Sequence, residues 1–137
     1  MPRPPVVKSF LISDSVIHDR ITGKWSIIGV FDRVMAPRFP TFHTPLSFYI
    51  KLADAEGLYK IKVELRDMDD RRVGLIEGIQ LEVKGGGHSV DIGFPAPPLW
   101  LEKTGKYQFQ LYANDEFLAS VPLEVVQVQV PTPPPPA

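Results

Sequence analysis

The chain has 137 residues and no cysteine, and its 15 basic and 16 acidic side chains leave a formal net charge of −1. A chain of this length corresponds to one domain with a core of its own, and the lack of cysteine excludes disulfide-stapled modules, cysteine nucleophiles and thiolate metal sites. The balanced charge argues against nucleic-acid binding, which relies on a basic surface.

Proline is concentrated at the two ends of the chain. Of the 15 prolines, 8 lie before Val6 or after Val130. We therefore expect Pro-rich tails at residues 1–5 and 131–137, in extended polyproline II form, around a globular domain at residues 6–130. No apolar run has the length of a signal peptide or of a membrane span, which predicts a cytoplasmic protein without membrane contact.

The first predicted strands are two apolar segments, residues 9–13 and 26–31. Both carry apolar residues on both faces, which is typical of strands that are central in a sheet or covered on both sides. The polar segment 19–24 contains a glycine and supplies the turn between them. The chain is therefore expected to open with two buried antiparallel strands.

Strict alternation of apolar and polar residues predicts two strands at residues 46–52 and 59–66, each with one buried face. Turn-forming residues at 55–57 lie between them, so we expect an antiparallel hairpin. Residues 79–94 carry two more alternating segments. The glycines 85–87 separate these segments and are expected to form a flexible hairpin loop.

A last hairpin is predicted from residues 107–111 and 117–123, with Asn114-Asp115 as a tight turn whose residues tolerate positive φ. About eight strands without helical periodicity indicate a single antiparallel β-sandwich of immunoglobulin-like type, with a closed barrel as the alternative. The tripeptide 105–107 supports the sandwich, because a tyrosine at this point often bonds back to nearby backbone in immunoglobulin-like folds.

The apolar residues change register near the end of the last strand. Val125 belongs to one parity, whereas Val126, Val128 and Val130 belong to the other. A slip of one residue sends side chains to the opposite face, so the pattern predicts either a bulge, which is favoured, or a change of partner. In the second case residues 126–130 form an uncharged edge that pairs with another copy of the chain. The Pro-rich run beyond it resembles ligands of aromatic grooves, although a spacer is the commoner role.

Two loops, at residues 38–45 and 95–100, are rich in proline and aromatic residues. Rigid aromatic side chains such as Phe39, Phe42 and Trp100 can anchor a partner or stack on a sugar, because they lose little entropy on binding. The favoured alternative is that these rings fold back and cover the open ends of the sandwich.

Catalytic groupings are missing from the sequence, which has no phosphate-binding loop, no nucleophile elbow and no paired histidines. We therefore expect a protein that is not an enzyme and has no cofactor. The acidic loop Asp67, Asp69 and Asp70 resembles those with which C2 sandwiches bind calcium. Ordinary turn chemistry with neutralisation by Arg71 and Arg72 is favoured instead, so no metal is predicted.

The segments 19–40, 105–109 and 118–123 resemble the opening and the ending of a family of uncharacterised bacterial proteins, catalogued as a domain of unknown function. The resemblance spans roughly residues 8–126. It implies a compact immunoglobulin-like domain, and its motifs are structural, so they assign no catalytic residues.

Together these patterns favour a non-enzymatic cytoplasmic domain that acts through protein contacts and associates with itself through its last strand. The alternative is a C2-like calcium-binding module, or a carbohydrate- or ligand-binding module, that uses the acidic loop or the aromatic loops. Nucleic acid and membranes are not expected as partners.

Overall fold

The computed structural model describes residues 4–129 and 135–136, which include most of the predicted domain and little of the predicted Pro-rich tails. Within these ranges the chain forms nine strands. Their bounds are β1 (Val6–His18), β2 (Trp25–Val30), β3 (Arg33–Ala36), β4 (Thr41–His43), β5 (Ser47–Arg66), β6 (Arg72–Pro95), β7 (Leu99–Leu101), β8 (Gly105–Ala113) and β9 (Glu116–Gln127). None of the described residues belongs to a helix long and apolar enough to span a bilayer.

Two long strands, β5 and β6, run through both layers of the molecule. Residues 47–53 of β5 pair with β1, residues 61–66 pair with β8, and β6 follows β5 through both parts. One layer therefore has the order β2-β1-β5-β6, and the other has the order β3-β9-β8-β5-β6. The predicted antiparallel β-sandwich is confirmed, with the parallel pair β3–β9 as its one exception among the described pairings.

The core lies between these two layers. Phe48 on β5 and Phe109 on β8 meet edge to face with ring centroids 5.1 Å apart, which joins the layers at the centre of the sandwich. Period-two alternation supplies the rest of the core, because every second side chain of a strand points inward. The buried apolar residues include Phe10, Ile12, Ile50, Leu52, Tyr59, Ile61, Val63, Leu65, Leu101, Leu111, Leu123 and Val125.

The hairpin predicted about residues 55–57 is wrong, because β5 continues through that point. Asp54 and Gly57 have positive φ, at 53° and 111°, and register shifts flank Ala55. These irregularities bend the strand from one layer into the other without reversing it. The true reversal comes at residues 67–71, where β5 turns into β6.

The glycines at 85–87 do not form a hairpin loop, and that prediction is wrong as well. They lie inside β6, at the place where β5 bends. Gly57 pairs with Val83 and Ala55 pairs with His88, so β6 has extra residues opposite Glu56. The glycines form the wide bulge that lets β6 follow β5 around the corner.

The prediction of two buried opening strands holds for β1 and is wrong for β2. β1 lies between β2 and β5, whereas β2 is the edge of its layer. Ile28 and Val30 on β2 are therefore 50% and 59% exposed. The predicted turn between the strands is confirmed, because the Asp19 carboxylate accepts hydrogen bonds from the amides of Ile21 and Thr22.

The last hairpin and the tyrosine corner are confirmed. Asn114 and Asp115 both have positive φ, at 51° and 64°, as a tight turn between β8 and β9 requires. The Tyr107 hydroxyl donates a hydrogen bond to the carbonyl oxygen of Lys103 at 2.7 Å. With the two packed layers, this corner identifies the fold as an immunoglobulin-like sandwich.

Candidate functional site

The short strands β4 and β7 form a separate two-stranded sheet, which we call the aromatic ribbon (residues 41–43 and 99–101). Prolines flank both strands, and because proline donates no backbone hydrogen bond, the ribbon stays short. Its inner face holds Leu101, which is fully buried, and His43, whose ring lies 5.5 Å from that of Phe31. The aromatic ribbon is thus anchored to the end of the sandwich by one face only.

The outer face of the aromatic ribbon carries a pair of exposed rings in contact with each other. Phe42 pairs with Trp100 in the register of β4 and β7, and their ring centroids are 4.7 Å apart at an angle of 58°. Phe42 is 62% exposed and Trp100 is 47% exposed. The favoured prediction that these rings cover the core is wrong for both, because alternation turns them outward, and it is right for Phe39, which packs against the core.

An open cleft of about 720 Å³ lies beside the aromatic ribbon, and we call it the end cleft. The β5–β6 turn forms one wall, and the chain from Trp100 to Tyr107 forms the other. Its lining residues are Asp67, Arg71, Arg72, Val73, Trp100, Glu102, Lys103 and Tyr107. One ring of the aromatic pair therefore borders a space that combines cations, carboxylates and apolar surface.

The predicted acidic loop is the turn of the β5–β6 hairpin and forms part of the end cleft. Asp67 Oδ1 accepts hydrogen bonds from the amides of Asp69 and Arg71 at 2.9 Å each, and its Oδ2 lies 3.3 Å from Arg71 Nε. The hydrogen bond from the Arg71 amide, with further help from Asp69 and the Arg71 charge, lowers the pKa of Asp67 below its ordinary value. Asp67 thus serves the turn itself.

The other members of the acidic loop, for which calcium was the less favoured interpretation, also make contacts within the turn. Asp69 Oδ2 lies 3.5 Å from a nitrogen of Arg71, and the carbonyl oxygen of Asp70 accepts a hydrogen bond from Arg66. In the part of the chain that the structure describes, no three histidine, aspartate or glutamate side chains are grouped to hold a metal ion.

The tyrosine corner fixes the rim of the end cleft. Because the Tyr107 hydroxyl holds the Lys103 carbonyl, the segment between Trp100 and β8 has a defined path. Burial raises the pKa of Tyr107, so its hydroxyl stays protonated and able to donate. The Lys103 side chain lines the cleft, and among the described residues none forms an ion pair with it. A cation is thus available at the rim.

The predicted edge at the end of β9 is only half open. β9 passes through Val125 and Val126 without a register shift, so the favoured bulge is wrong. Val125 is the last residue that pairs with β8, whereas β3 remains a parallel partner as far as Gln127. Val126 and Val128 point outward, and the Val128 amide donates to the Ala36 carbonyl oxygen at 3.1 Å. Val130 lies outside the described residues.

A buried glutamate on the outer face of the β5–β8 layer was not predicted. Glu64 is only 4% exposed, and its carboxylate lies 2.6 Å from Arg66, 3.5 Å from Lys62 and 3.6 Å from Arg72. Burial alone raises the pKa of Glu64, but hydrogen bonds and charge from Arg66 and Lys62 outweigh it and lower the pKa. The alternation of charges along β5 was a visible signal, whereas the approach of Arg72 from β6 depends on the register between strands.

Trp25 is held by its own molecule and is not part of the exposed aromatic surface. It lies over Gly93, and its ring centroid is 4.6 Å from that of His18 and 6.4 Å from that of Tyr49. The Tyr49 hydroxyl donates to Asp91 at 2.7 Å, and burial together with this bond raises the pKa of Tyr49 to about 12. Of the two tryptophans, Trp100 is therefore the one available to a partner.

Solved structures with a similar fold exist at low sequence identity. The C-terminal domain of wzt is 12% identical, with a TM-score of 0.56 over 91% of this chain and 75% of that chain. An immunoglobulin-like protein from Pseudomonas aeruginosa is 15% identical, with a TM-score of 0.42 over 90% of this chain and 98% of that chain. No curated protein sequence matches the chain. The pattern of a family of unknown function, DUF6941, matches residues 8–126, and the chain belongs to that family.

Proposed function

We propose that this chain is a non-enzymatic, cytoplasmic protein-interaction domain whose binding surface is the aromatic ribbon. The observation that carries the proposal is the exposure of two large rings in contact, Phe42 and Trp100, on a sheet that packs on the domain with its inner face only. Rigid aromatic side chains are the residues that most often dominate binding energy, and an exposed cluster of them marks an interaction site. The net charge of −1 supports a protein partner over nucleic acid or an anionic membrane.

The test compares capture of a partner by the native chain and by single variants. Phe42→Ala and Trp100→Ala are expected to lose a partner that the native chain retains from an extract of its own cells. Phe117→Ala is the matched control, because Phe117 is 56% exposed on the β8–β9 hairpin and packs against Tyr112. Equal capture by all four proteins would refute the aromatic ribbon as the binding surface.

Self-association through the end of β9 is the second part of the proposal. β8 begins at Gly105 opposite Val125, so residues 126–129 have β3 on one side and no described strand on the other. An uncharged half-open edge can add a strand from another copy. In a chain ending at Gln129, which keeps this edge and lacks the Pro-rich segment, Val128→Lys places a charge on the edge without touching the β3 pairs. It is expected to reduce a sedimenting dimer of that chain to a monomer. A native chain that stays monomeric at high concentration would refute this part.

A ligand-binding module is the second candidate function, and the end cleft is the observation that favours it. The cleft offers about 720 Å³ beside the Trp100 ring, with cations and carboxylates that can orient a polar ligand such as a carbohydrate. Calorimetric titration with neutral and acidic oligosaccharides tests this form, and titration with calcium tests the ionic form. The absence of heat in both titrations would exclude the ligand-binding module and leave the protein-interaction domain as the proposed function.

A further inference from the structure

We propose that the aromatic ribbon of one copy binds the Pro-rich segment 131–136 of a second copy of the chain. This inference rests on the proposed function, because it names the partner of the aromatic ribbon. The sequence of the segment is Pro-Thr-Pro-Pro-Pro-Pro, which favours an extended polyproline II helix. Such helices are bound by surfaces lined with aromatic side chains, because the stiff ligand loses little conformational entropy.

The chemistry of the aromatic pair fits a proline-rich strand. Proline rings are compact and apolar and pack well on the faces of aromatic side chains, and the exposed rings of Phe42 and Trp100 lie in contact, with centroids 4.7 Å apart. A run of prolines has carbonyl oxygens but no N–H groups that could bond to them. When such a segment is bound, the hydrogen-bond donors to these oxygens come from the partner. The Trp100 indole N–H is such a donor, since no described residue accepts a hydrogen bond from it.

Charge favours the aromatic ribbon over the end cleft as the place for this segment. Residues 131–136 are uncharged, and the aromatic ribbon itself contains neither acidic nor lysine or arginine side chains. The end cleft, by contrast, contains Asp67, Glu102 and three cations whose hydration an uncharged ligand would not replace. An uncharged apolar segment therefore matches the uncharged outer face of the ribbon.

The last described residues before the segment lie against the chain that leads into the ribbon. The Val128 amide bonds to the Ala36 carbonyl oxygen at 3.1 Å, and the Gln127 side chain bonds to the Pro37 carbonyl oxygen at 3.0 Å. Phe42 follows Ala36 by only six residues along the chain, a span of at most about 21 Å. Eight residues, the number from 129 to 136, would span about 25 Å in polyproline II form. A segment of that length, attached after residue 129, is therefore long enough to reach the ribbon of a facing copy.

The Pro-rich segment does not bind the ribbon of its own copy, because Pro135 and Pro136 are exposed and so are Phe42 and Trp100. Two copies that face each other end to end can instead exchange their segments reciprocally. Such an exchange closes a two-fold dimer with two identical contacts.

The first experiment measures the mass in solution by sedimentation. Val128→Lys is included in both proteins compared, so that pairing through β9 is blocked. The full chain is then expected to dimerise, whereas a chain ending at Gln129, which keeps all of β9 and its bonds to β3, is expected to be monomeric. Phe42→Ala and Trp100→Ala in the full chain are expected to weaken the dimer more than about tenfold, and Phe117→Ala is expected to leave it unchanged. Equal masses for the full and shortened chains would overturn the proposal.

The second experiment titrates a synthetic peptide of residues 129–137 into the chain that ends at Gln129. Trp25→Phe serves as the background, so that the emission reports on Trp100 alone. We expect a saturable shift in emission, and no shift with a peptide in which the prolines at 133–136 are replaced by alanine. Trp100→Phe keeps a ring and removes the indole donor, so in a calorimetric titration it is expected to bind the peptide several-fold more weakly than the native residue.

The outcomes separate this inference from the proposed function. If the peptide does not bind but Phe42→Ala and Trp100→Ala still lose another captured protein, the ribbon is an interaction surface and the Pro-rich segment is not its partner. If Trp100 in the monomeric full chain is shielded from a quencher relative to the shortened chain, the segment covers its own ribbon, which also overturns the exchange between copies.

Discussion

The Trp25 ring packs directly over Gly93, on the outer face of the β1–β5 layer. The substitution Gly93→Ala adds one methyl group beneath this ring and so tests that packing. A Cβ atom at residue 93 would lie 2.7 Å from Trp25 Cζ3, 2.9 Å from Trp25 Cε3 and 2.9 Å from Val16 Cγ2. Carbon atoms pack at about 3.5–4.0 Å, so the indole has to move by most of an ångström in Gly93→Ala. The φ of Gly93 is one that alanine adopts freely, so the clash is the main term.

The magnitude follows from the contacts that the indole leaves. Overpacking of this kind costs about 1–3 kcal/mol, and each ring pair that Trp25 forms with His18 or Tyr49 is worth about 0.5–1.5 kcal/mol when intact. Replacing glycine in a strand returns about 0.5 kcal/mol through the unfolded chain. We therefore expect Gly93→Ala to lower the free energy of unfolding by about 2 kcal/mol and the Tm by about 8 °C.

The assay is urea denaturation followed by tryptophan emission in a Trp100→Phe background, so that Trp25 is the reporter. The folded Gly93→Ala protein should also show red-shifted emission, because the indole is displaced toward water. The control is a double-mutant cycle with Trp25→Ala, in which unfolding is followed by circular dichroism. In the Trp25→Ala background, Gly93→Ala should lower the free energy of unfolding by less than half as much. The loss that remains is expected from the clash with Val16. If Gly93→Ala lowers the free energy of unfolding equally with Trp25 and with Ala at position 25, the packing of Trp25 over Gly93 is refuted as the cause.

Three further predictions concern charge, the tyrosine corner and the aromatic ribbon. Because the folded pKa of Glu64 lies below its ordinary value of 4.5, its ionised form stabilises the fold above that pH, and the stabilisation is lost as the pH falls through the folded pKa. Glu64→Gln should therefore destabilise the protein at pH 7, where Arg66 loses its partner, and should show a weaker acid dependence in denaturation between pH 7 and 3. A difference in the free energy of unfolding between the native protein and Glu64→Gln that does not decrease as the pH falls would contradict this. Tyr107→Phe should lower the free energy of unfolding by about 1 kcal/mol, measured in urea, because the Lys103 carbonyl loses its 2.7 Å hydrogen bond. Trp100→Ala should change it by less than about 0.5 kcal/mol, and a large loss would make Trp100 a structural residue rather than a binding one.

The fold class was predictable because period-two alternation is a local signal that each strand carries by itself. The Asn114-Asp115 turn and the tyrosine corner at Tyr107 were predictable for the same reason, since each depends on a few adjacent residues. The bend in β5 was not predictable, because Asp54 and Gly57 have the residue types of a turn, and only the pairing with β6 shows that the strand bends there without reversing. Whether a strand lies at the edge or in the centre, as for β2, also depends on the assembled sheet and not on the strand's own sequence.

The candidate site divides along the same line. The sequence pointed to Phe39, Phe42 and Trp100 as aromatic residues in stiff loops, but it did not distinguish them. Phe42 and Trp100 meet through the register of β4 with β7, strands that lie far apart in the chain, whereas Phe39 turns to the core. The end cleft forms in the same way, from a turn near Asp67 and a rim near Lys103.

The two tryptophans show why the search for a partner belongs at the aromatic ribbon. Trp25 lies on a glycine and between two aromatic rings of its own molecule, so most of its apolar surface already has a protein contact. Trp100 has one neighbouring ring, Phe42, and open space beyond it. Leaving the exposed part of such a ring in water forgoes up to about 2 kcal/mol of burial, and this part contributes to stability only when a second surface covers it.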